Sequence, residues 1–355
     1  MKIEASVETP VFDSFRVRQM AGMFDLALQE KSRCSFSVEV PGVNEPWSIG
    51  LIVGPSGSGK STVAREAFGD DLYEAGAWPQ DAAVVDGFGP APPGTREITQ
   101  MLTAVGFSSP PAWVRPYAVL SNGEKFRCDL ARALLSDRPV VVFDEFTSVV
   151  DRTVAKIGSA AVAKAIRNAR IKKRFVAVSC HYDIADWLEP DWVVDMATQS
   201  LARGRLCRPR IALEIVRCTS AAWPLFARHH YLTPSLGCGF ACYLACWNDN
   251  PVAFVAVAPL VGFKGRWRIS RIVVLPDYQG IGIGMRVLNA VARLVREEGK
   301  RVNIVTSHPA MIRGLAASAA WRCVNIAPAG RVPRTAFQTR LKPATGRAVV
   351  SFELI

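Results

Sequence analysis

With 355 residues the chain is long enough for two domains with separate cores, and a composition of 50% hydrophobic and 21% charged residues excludes an intrinsically disordered chain. No N-terminal signal pattern and no uninterrupted apolar stretch of membrane-spanning length is seen, and the nine cysteines form no secreted-type framework, so a cytoplasmic protein without a membrane partner is expected. The net charge of +12 is uneven: residues 206–355 carry 20 Lys and Arg against 6 Asp and Glu, residues 1–205 carry 23 against 25.

In chain order, Cys34–Val40 alternates like a strand, and Trp47–Val53 is an apolar strand leading into Gly54-Pro-Ser-Gly57-Ser-Gly59-Lys60-Ser61-Thr62. Ser61 to Phe68 then reads as a helix whose N-terminus faces an anion. This string fits the pattern G-x-x-x-x-G-K-[ST], whose backbone amides surround the phosphates of a nucleoside triphosphate. Lys60 is expected on the β- and γ-phosphates and Ser61 on Mg²⁺. A second apolar strand, Pro139–Phe143, ends in Asp144 and Glu145. Asp144 suits Mg²⁺ through water, and Glu145 suits activation of an attacking water.

The second half opens with a strand expected over Arg208–Ile215. A hairpin follows, Cys238–Trp247 with Val252–Pro259, closed by Asn248-Asp-Asn-Pro251. Next come a strand over Trp267–Leu275, the glycine loop Gln279-Gly280-Ile281-Gly282-Ile283-Gly284, and a helix from about Met285 to Glu298. The glycines permit close approach of backbone to ligand, and the helix N-terminus favours a pyrophosphate. The strand Val302–Thr306, a helix-like run to Trp321 and a terminal strand Ala348–Leu354 complete the pattern. Cys238, Cys242 and Cys246 share parity on the proposed strand, which leaves packing or a metal site open.

The nucleotide loop, Asp144-Glu145 and Leu120-Ser121-Asn122-Gly123-Glu124 before a helix together resemble the ATP-binding cassette (ABC) family, whose signature is LSGGQ; Asn122 and Glu124 depart from it. The resemblance implies a homodimer in which Ser121 and Gly123 of one protomer close over the ATP of the other. It also implies that Asp151 lies in the dimer-contact loop, that His181 is the γ-phosphate switch, and that Phe24 stacks on adenine. Gln80 and Asp86 are the candidates for the glutamine loop. Only about sixty residues separate Lys60 from Ser121, shorter than in transporter cassettes, and the soluble branch of the family fits better.

The later loop resembles the Q-x-x-G-x-G motif of the GCN5-related N-acetyltransferase (GNAT) family, in which backbone of Ile272, Val273 and Val274 would pair with the pantetheine arm and residues 279–284 would hold the pyrophosphate of acetyl-CoA or another acyl-CoA. Ala316 and its neighbours stand where the family's acid tyrosine is expected. The remaining titratable candidates are His229, His230, Tyr231 and His308, with Ser307 as a further donor, and each could equally be structural. The whole chain resembles ABC-type ATPases fused to an acetyltransferase domain, and Arg228-His-His-Tyr231 faintly resembles the Mom group of phage proteins that modify adenine in DNA.

These resemblances imply an α/β protein: a P-loop ABC ATPase domain at 1–205, followed by an α+β GNAT acyltransferase domain at 206–355. Seventeen of the 20 basic residues after 205 are arginine, suited to phosphate contacts and base stacking, so nucleic acid is the expected further partner. A basic surface that only aids solubility is the alternative. An ATP-dependent acyltransferase acting on nucleic acid is therefore expected, in bacterial or phage-infected host cytoplasm. An ATP-regulated protein or small-molecule N-acetyltransferase and a non-catalytic nucleic-acid clamp are the alternatives.

Overall fold

The computed structural model describes every residue except 11, 25–30, 75, 90–92, 207, 231–234, 238 and 329–347. In chain order the elements are β1 (Lys2–Pro10), α1 (Phe15–Phe24), β2 (Lys31–Glu39), β3 (Ile49–Val53), α2 (Lys60–Phe68), β4 (Leu72–Tyr73), α3 (Thr95–Ala104), α4 (Pro110–Trp113), α5 (Asn122–Leu135), β5 (Val140–Phe143) and α6 (Arg152–Arg167). There follow β6 (Arg174–Ser179), α7 (Ala185–Leu188), β7 (Trp192–Asp195), β8 (Ser200–Arg203), β9 (Glu214–Cys218), α8 (Trp223–Ala227), β10 (Ala241–Trp247), β11 (Asn250–Pro259), β12 (Arg266–Val274), α9 (Ile283–Glu297), β13 (Arg301–Thr306), α10 (Pro309–Ala316), β14 (Trp321–Pro328) and β15 (Ala348–Leu354). The fold is mixed α/β. Two compact units are formed, one from Met1–Gly76, Ser136–Asp151 and Ala163–Arg208, the other from Ala77–Leu135, Arg152–Val162 and Pro209–Ile355. The expected boundary at 205/206 lies near Arg208/Pro209, but residues 77–135 and 152–162 group with the later chain.

The first unit holds the antiparallel pair β1–β2 and a six-stranded sheet of order β4-β5-β6-β3-β7-β8. Strands β3 and β5 are buried at every position, as expected of parallel strands covered on both faces. Their residues are mostly Val, Ile and Leu, whose stiff or apolar side chains suit that environment. Ile52, Val63, Ala64, Phe68, Val142, Val178 and Trp192 belong to one core cluster, which seats α2 against the sheet. The Trp192 ring lies stacked near Phe68 at 6.4 Å and edge-on to Trp47 at 5.5 Å. It occupies the space where a side chain at residue 50 would stand, 2.0 Å from an ideal Cβ, which is why Gly50 carries none.

The second unit holds a seven-stranded sheet of order β14-β15-β13-β12-β11-β10-β9. The β10–β11 turn places Asn248 and Asp249 at φ 48° and 63°, the two left-handed residues of a tight hairpin that fits strand twist. Helix α9 buries Ile283, Val287, Leu288, Val291, Ala292 and Val295 along one stripe and packs on β11, β12 and β13. Trp223 and Phe226 of α8 pack with Phe254 and Val273. The opening strand falls at Glu214–Cys218 rather than Arg208–Ile215; Pro209, which lacks an N–H, lies within the expected segment. The run expected to stay helical to Trp321 ends at Ala316, and Trp321 instead opens β14, its indole donating to Asn289 Oδ1 at 2.7 Å.

Candidate functional site

In the first unit, the chain leaves the buried end of β3, turns through residues 54–59 and enters α2 at Lys60. Gly59 is the N-cap of α2 in the left-handed region at φ 84°, and the Phe36 ring lies 2.5 Å from the position of an ideal Cβ there. Both facts exclude a side chain at 59 and leave the helix N-terminal amides open to an anion. A cleft of about 450 Å³ is lined by Phe36, Ser56, Gly57, Gly59, Lys60, Ser61, Thr62, Asp144, Glu145, Ser148, Val178, Ser179 and Cys180. Two donors in the loop suit a phosphate: Ser58 Oγ is buried without a partner, and Lys60 Nζ donates to its own loop at Pro55 O, 2.7 Å away. The hydroxyl of Ser61 and the carboxylate of Asp144 border the same cleft, hard oxygen ligands of the kind Mg²⁺ takes.

The turn after β5 is unusual. Glu145 and Thr147 stand in the left-handed region at φ 53° and 72°, which is strained for a β-branched threonine. Thr147 is fully buried, and its Oγ1 lies 3.4 Å from Ser179 Oγ and 3.3 Å from His181 Nδ1. The His181 N–H donates to Ser179 Oγ at 3.1 Å. Thr147 and Ser179 thus orient a histidine beside the cleft. Gly54 begins the loop, where an ideal Cβ would lie 2.8 Å from Met196 Cβ.

Other expected nucleotide residues lie elsewhere. Phe24 ends α1 at 62% exposure and is not among the lining residues, whereas Phe36 is. Asp151 is exposed immediately before α6. Ser121 and Gly123 belong to the second unit, at the start of α5. There the departure of Glu124 from the signature has a local reason: Glu124 Oε2 accepts from Ser121 N at 2.9 Å while Ser121 Oγ accepts from Glu124 N at 3.3 Å, a reciprocal capping box. Gln80 and Asp86 are both exposed.

Within the second unit, β12 pairs with β13 only from Arg266↔Arg301 to Ile269↔Ile304. Beyond that register Ile272, Val273 and Val274 remain paired to β11 alone, so one backbone edge of this stretch is released from β13. Residues 279–284 follow, and α9 starts at the left-handed N-cap Gly282, φ 97°. Gly280, at φ 91°, has a second reason to be glycine: an ideal Cβ would stand 2.8 Å from Gly106 Cα and 2.8 Å from Ala161 Cβ. Gln279 donates from Nε2 to Val274 O at 2.9 Å and accepts from Ser108 N at 2.8 Å, so its side chain ties the strand end to the loop after α3. Ile281 and Ile283 are buried, and Gly284 lies against Val274.

The titratable candidates separate. His308 is the N-cap of α10: Nδ1 accepts from Ala310 N at 3.2 Å, which leaves Nε2 to donate to Ser108 O at 3.3 Å. Burial, reinforced by Arg313, depresses its pKa against the opposing effect of Ser108 O, so the fold uses both nitrogens of a neutral ring. The His229 pKa is lowered by burial and by Arg228, whose Nε donates to His229 Nε2 at 3.0 Å. His230 stands edge-on to Trp223 at 5.7 Å. Tyr231 and Cys238 lie outside the described residues. Cys242 is buried and Cys246 half-buried on a continuous register of β10 against β9, where Cys242 stands opposite Cys218; among the described residues no group of three or more His, Cys, Asp or Glu could hold a metal. No described helix is long and apolar enough to cross a membrane.

Residues 211–313 match the family model of the acetyltransferase (GNAT) family. No protein of curated function matches the sequence. Among solved structures the chain is similar to the ribosomal-protein-S18-alanine N-acetyltransferase from Escherichia coli, at 16% identity over 40% of this chain and 93% of that one, TM-score 0.32. It is similar to a GNAT family acetyltransferase from Elizabethkingia anophelis with acetyl-CoA bound, at 18% identity over 40% and 98%, TM-score 0.31. It is also similar to a dimeric bacterial ABC transporter cassette, at 16% identity over 50% and 93%, TM-score 0.37. Residues 211–313, which include the glycine loop 279–284 and helix α9, therefore match the acetyltransferase (GNAT) family model.

Proposed function

We propose that the protein is an ATP-dependent acyltransferase that uses an acyl-CoA to modify a nucleic acid, with an ATPase domain at 1–205 and an acyltransferase domain at 206–355. The observation that carries this reading is the presence of two anion cradles in one chain, each a glycine loop that follows a strand and caps a helix with a left-handed glycine, Gly59 before α2 and Gly282 before α9. The nucleic-acid acceptor is supported by the basic excess after residue 205, 20 Lys and Arg against 6 Asp and Glu.

In the ATPase domain, Gly57, Gly59 and Thr62 surround the phosphates and Lys60 bridges β and γ. Bound Mg²⁺, held by Ser61 and Asp144, supplies charge neutralisation on the phosphates. Glu145 takes the proton of the attacking water, and His181, oriented by Thr147, donates toward the γ-phosphate. Two copies of the chain associate head to tail, Ser121, Gly123 and Asp151 of each completing the other's site.

In the acyltransferase domain, Ile272–Val274 offer backbone groups to the pantetheine arm, and the amides of residues 280–284 hold the pyrophosphate. The acceptor nitrogen attacks the thioester carbonyl carbon, the C–S bond breaks, the amine proton passes to His230 and the thiolate leaves with a proton from Tyr231. The thioester drives this step without ATP. The ATPase therefore controls access, substrate geometry or release. Ala316 at the end of α10, where a family acid tyrosine is expected, supports a second reading as a non-catalytic nucleic-acid clamp.

The test is purified protein with ATP, Mg²⁺ and acetyl-CoA labelled in the acetyl group, offered DNA, RNA, total protein and small amines in parallel. Label in nucleic acid supports the proposal. Label only in protein or small amines favours an ATP-regulated N-acetyltransferase, and no label with ATP-dependent binding to DNA or RNA selects the clamp.

A further inference from the structure

The acyl-CoA loop of the second unit is built against the segment that carries Ser121 and Gly123. Arg127 lies one turn along α5 from Gly123, and although it is a guanidinium it is 1% exposed. Its Nη1 donates to Gly123 O at 3.4 Å, and its Nη2 donates to Asp277 O at 3.3 Å. The Asp277 carboxylate stands 3.9 Å from Nη1 and is itself half exposed. Asp277 belongs to the turn that delivers β12 into Gln279 and the glycine loop. One buried side chain therefore touches the backbone of the signature motif at one end and the backbone of the acyl-CoA turn at the other.

Independent contacts surround this bridge. Ser108 N donates to Gln279 Oε1 while Ser108 O faces His308 Nε2, so the loop after α3 is fixed to residues on both sides of the cofactor loop. The backbones of Gly106 and Gly280 approach so closely that neither tolerates a Cβ: at Gly106 the nearest atom would be Gln279 O at 2.8 Å. Val154 of α6 lies against Gly123, and Ala161 of the same helix against Gly280. A buried guanidinium needs its donors held in place, and the two Nη atoms of Arg127 are held by Gly123 O and Asp277 O. Contacts this close transmit a displacement of α5 to the turn instead of absorbing it in a void.

We propose that Arg127 is a positioning residue: it transmits the state of the signature motif to the acyl-CoA loop, so that engagement of Ser121 and Gly123 by nucleotide changes the affinity for the acyl donor. This rests on the reading of an ATP-controlled acyltransferase and adds the route of control. Because such coupling is reciprocal, acyl-CoA changes the affinity for ATP by the same factor.

The experiment measures acetyl-CoA binding by calorimetry to full-length Glu145→Gln protein, with and without saturating ATP and Mg²⁺, in three forms: otherwise unaltered, with Arg127→Ala and with Arg127→Lys. The coupling expected in the unaltered form is a change of about fivefold or more in Kd, within the usual range for linked sites. Arg127→Ala is expected to bring it below twofold, and Arg127→Lys, which keeps the charge without the fork, to an intermediate value. The reciprocal titration of ATP with and without acetyl-CoA must give the same factors. Should Arg127→Ala fail to fold, the lysine variant alone decides the matter, because a full wild-type response there overturns the role of the fork. A Kd insensitive to ATP, in protein that binds both ligands, overturns the coupling while leaving the acyltransferase reading intact. Absence of acetyl-CoA binding to unaltered protein overturns both.

Discussion

Gly280→Ala offers a quantitative probe of the second unit. The new methyl group would stand 2.8 Å from both Gly106 Cα and Ala161 Cβ, and the backbone would keep φ 91°, a conformation that L residues rarely adopt. The backbone contribution is about 1–2 kcal/mol and forced overpacking adds about 1–3 kcal/mol. Gly299→Ala is the matched control, because residue 299 has φ 77° with nothing within 4 Å of its ideal Cβ and lies in the same unit. It bears only the backbone cost. The two variants should therefore differ by about 1–3 kcal/mol, which at a urea slope of about 1–3 kcal/mol per M displaces the midpoint by about 1 M. Urea titrations of the wild type and both variants, followed by tryptophan fluorescence, make the comparison. A Gly280→Ala midpoint equal to that of Gly299→Ala would refute the close packing of the 106 and 280 turns, and with it the physical basis for coupling through α5.

Further outcomes follow from the sites. Glu145→Gln should lower ATP turnover by about 10²–10⁴-fold with ATP binding retained, as measured by phosphate release and equilibrium binding. Thr147→Val keeps the shape of the side chain and removes the hydroxyl beside His181 Nδ1; ATP turnover should fall about fivefold, the equivalent of one net hydrogen bond of ~1 kcal/mol. Because the pKa of buried His308 is depressed, the unfolded chain binds a proton below about pH 6.5 that the folded chain refuses until lower pH. Its contribution is thus present above pH 6.5 and lost as the pH falls through the window below it. The urea midpoint should decline between pH 7.5 and 5.5, and His308→Asn, which preserves a cap acceptor, should flatten that decline; His229, also depressed, contributes with the same sign.

Much of the layout was legible because short local rules dictate it. Buried apolar runs such as Val140–Phe143 have no use except as covered strands, and a glycine loop between strand and helix has few alternatives to an anion cradle. Asn248-Asp249 announced its hairpin for the same local reason. What stayed hidden depends on contacts distant in sequence. Nothing near Phe36 says that the folded chain brings it to the cleft beside Lys60, and no periodicity reveals that Arg127 reaches Asp277, 150 residues away. His308 read as a catalytic candidate because a lone histidine after a strand carries no mark of its partners, and its capping bond and its contact with Ser108 appear only in three dimensions. Glu124 read as a loss from the signature, whereas its carboxylate completes a helix cap.

The central question is whether the chain adds a group to nucleic acid through the loop at residues 279–284. The most direct measurement is to express wild-type protein and the Gly282→Ala/Gly284→Ala variant in bacteria, digest DNA and RNA to nucleosides and compare their masses. Acyl transfer to nucleic acid gives a nucleoside of increased mass in wild-type cells, absent with the variant, whose increment identifies the transferred acyl group. Identical nucleoside profiles, with wild-type protein folded and hydrolysing ATP, would contradict it.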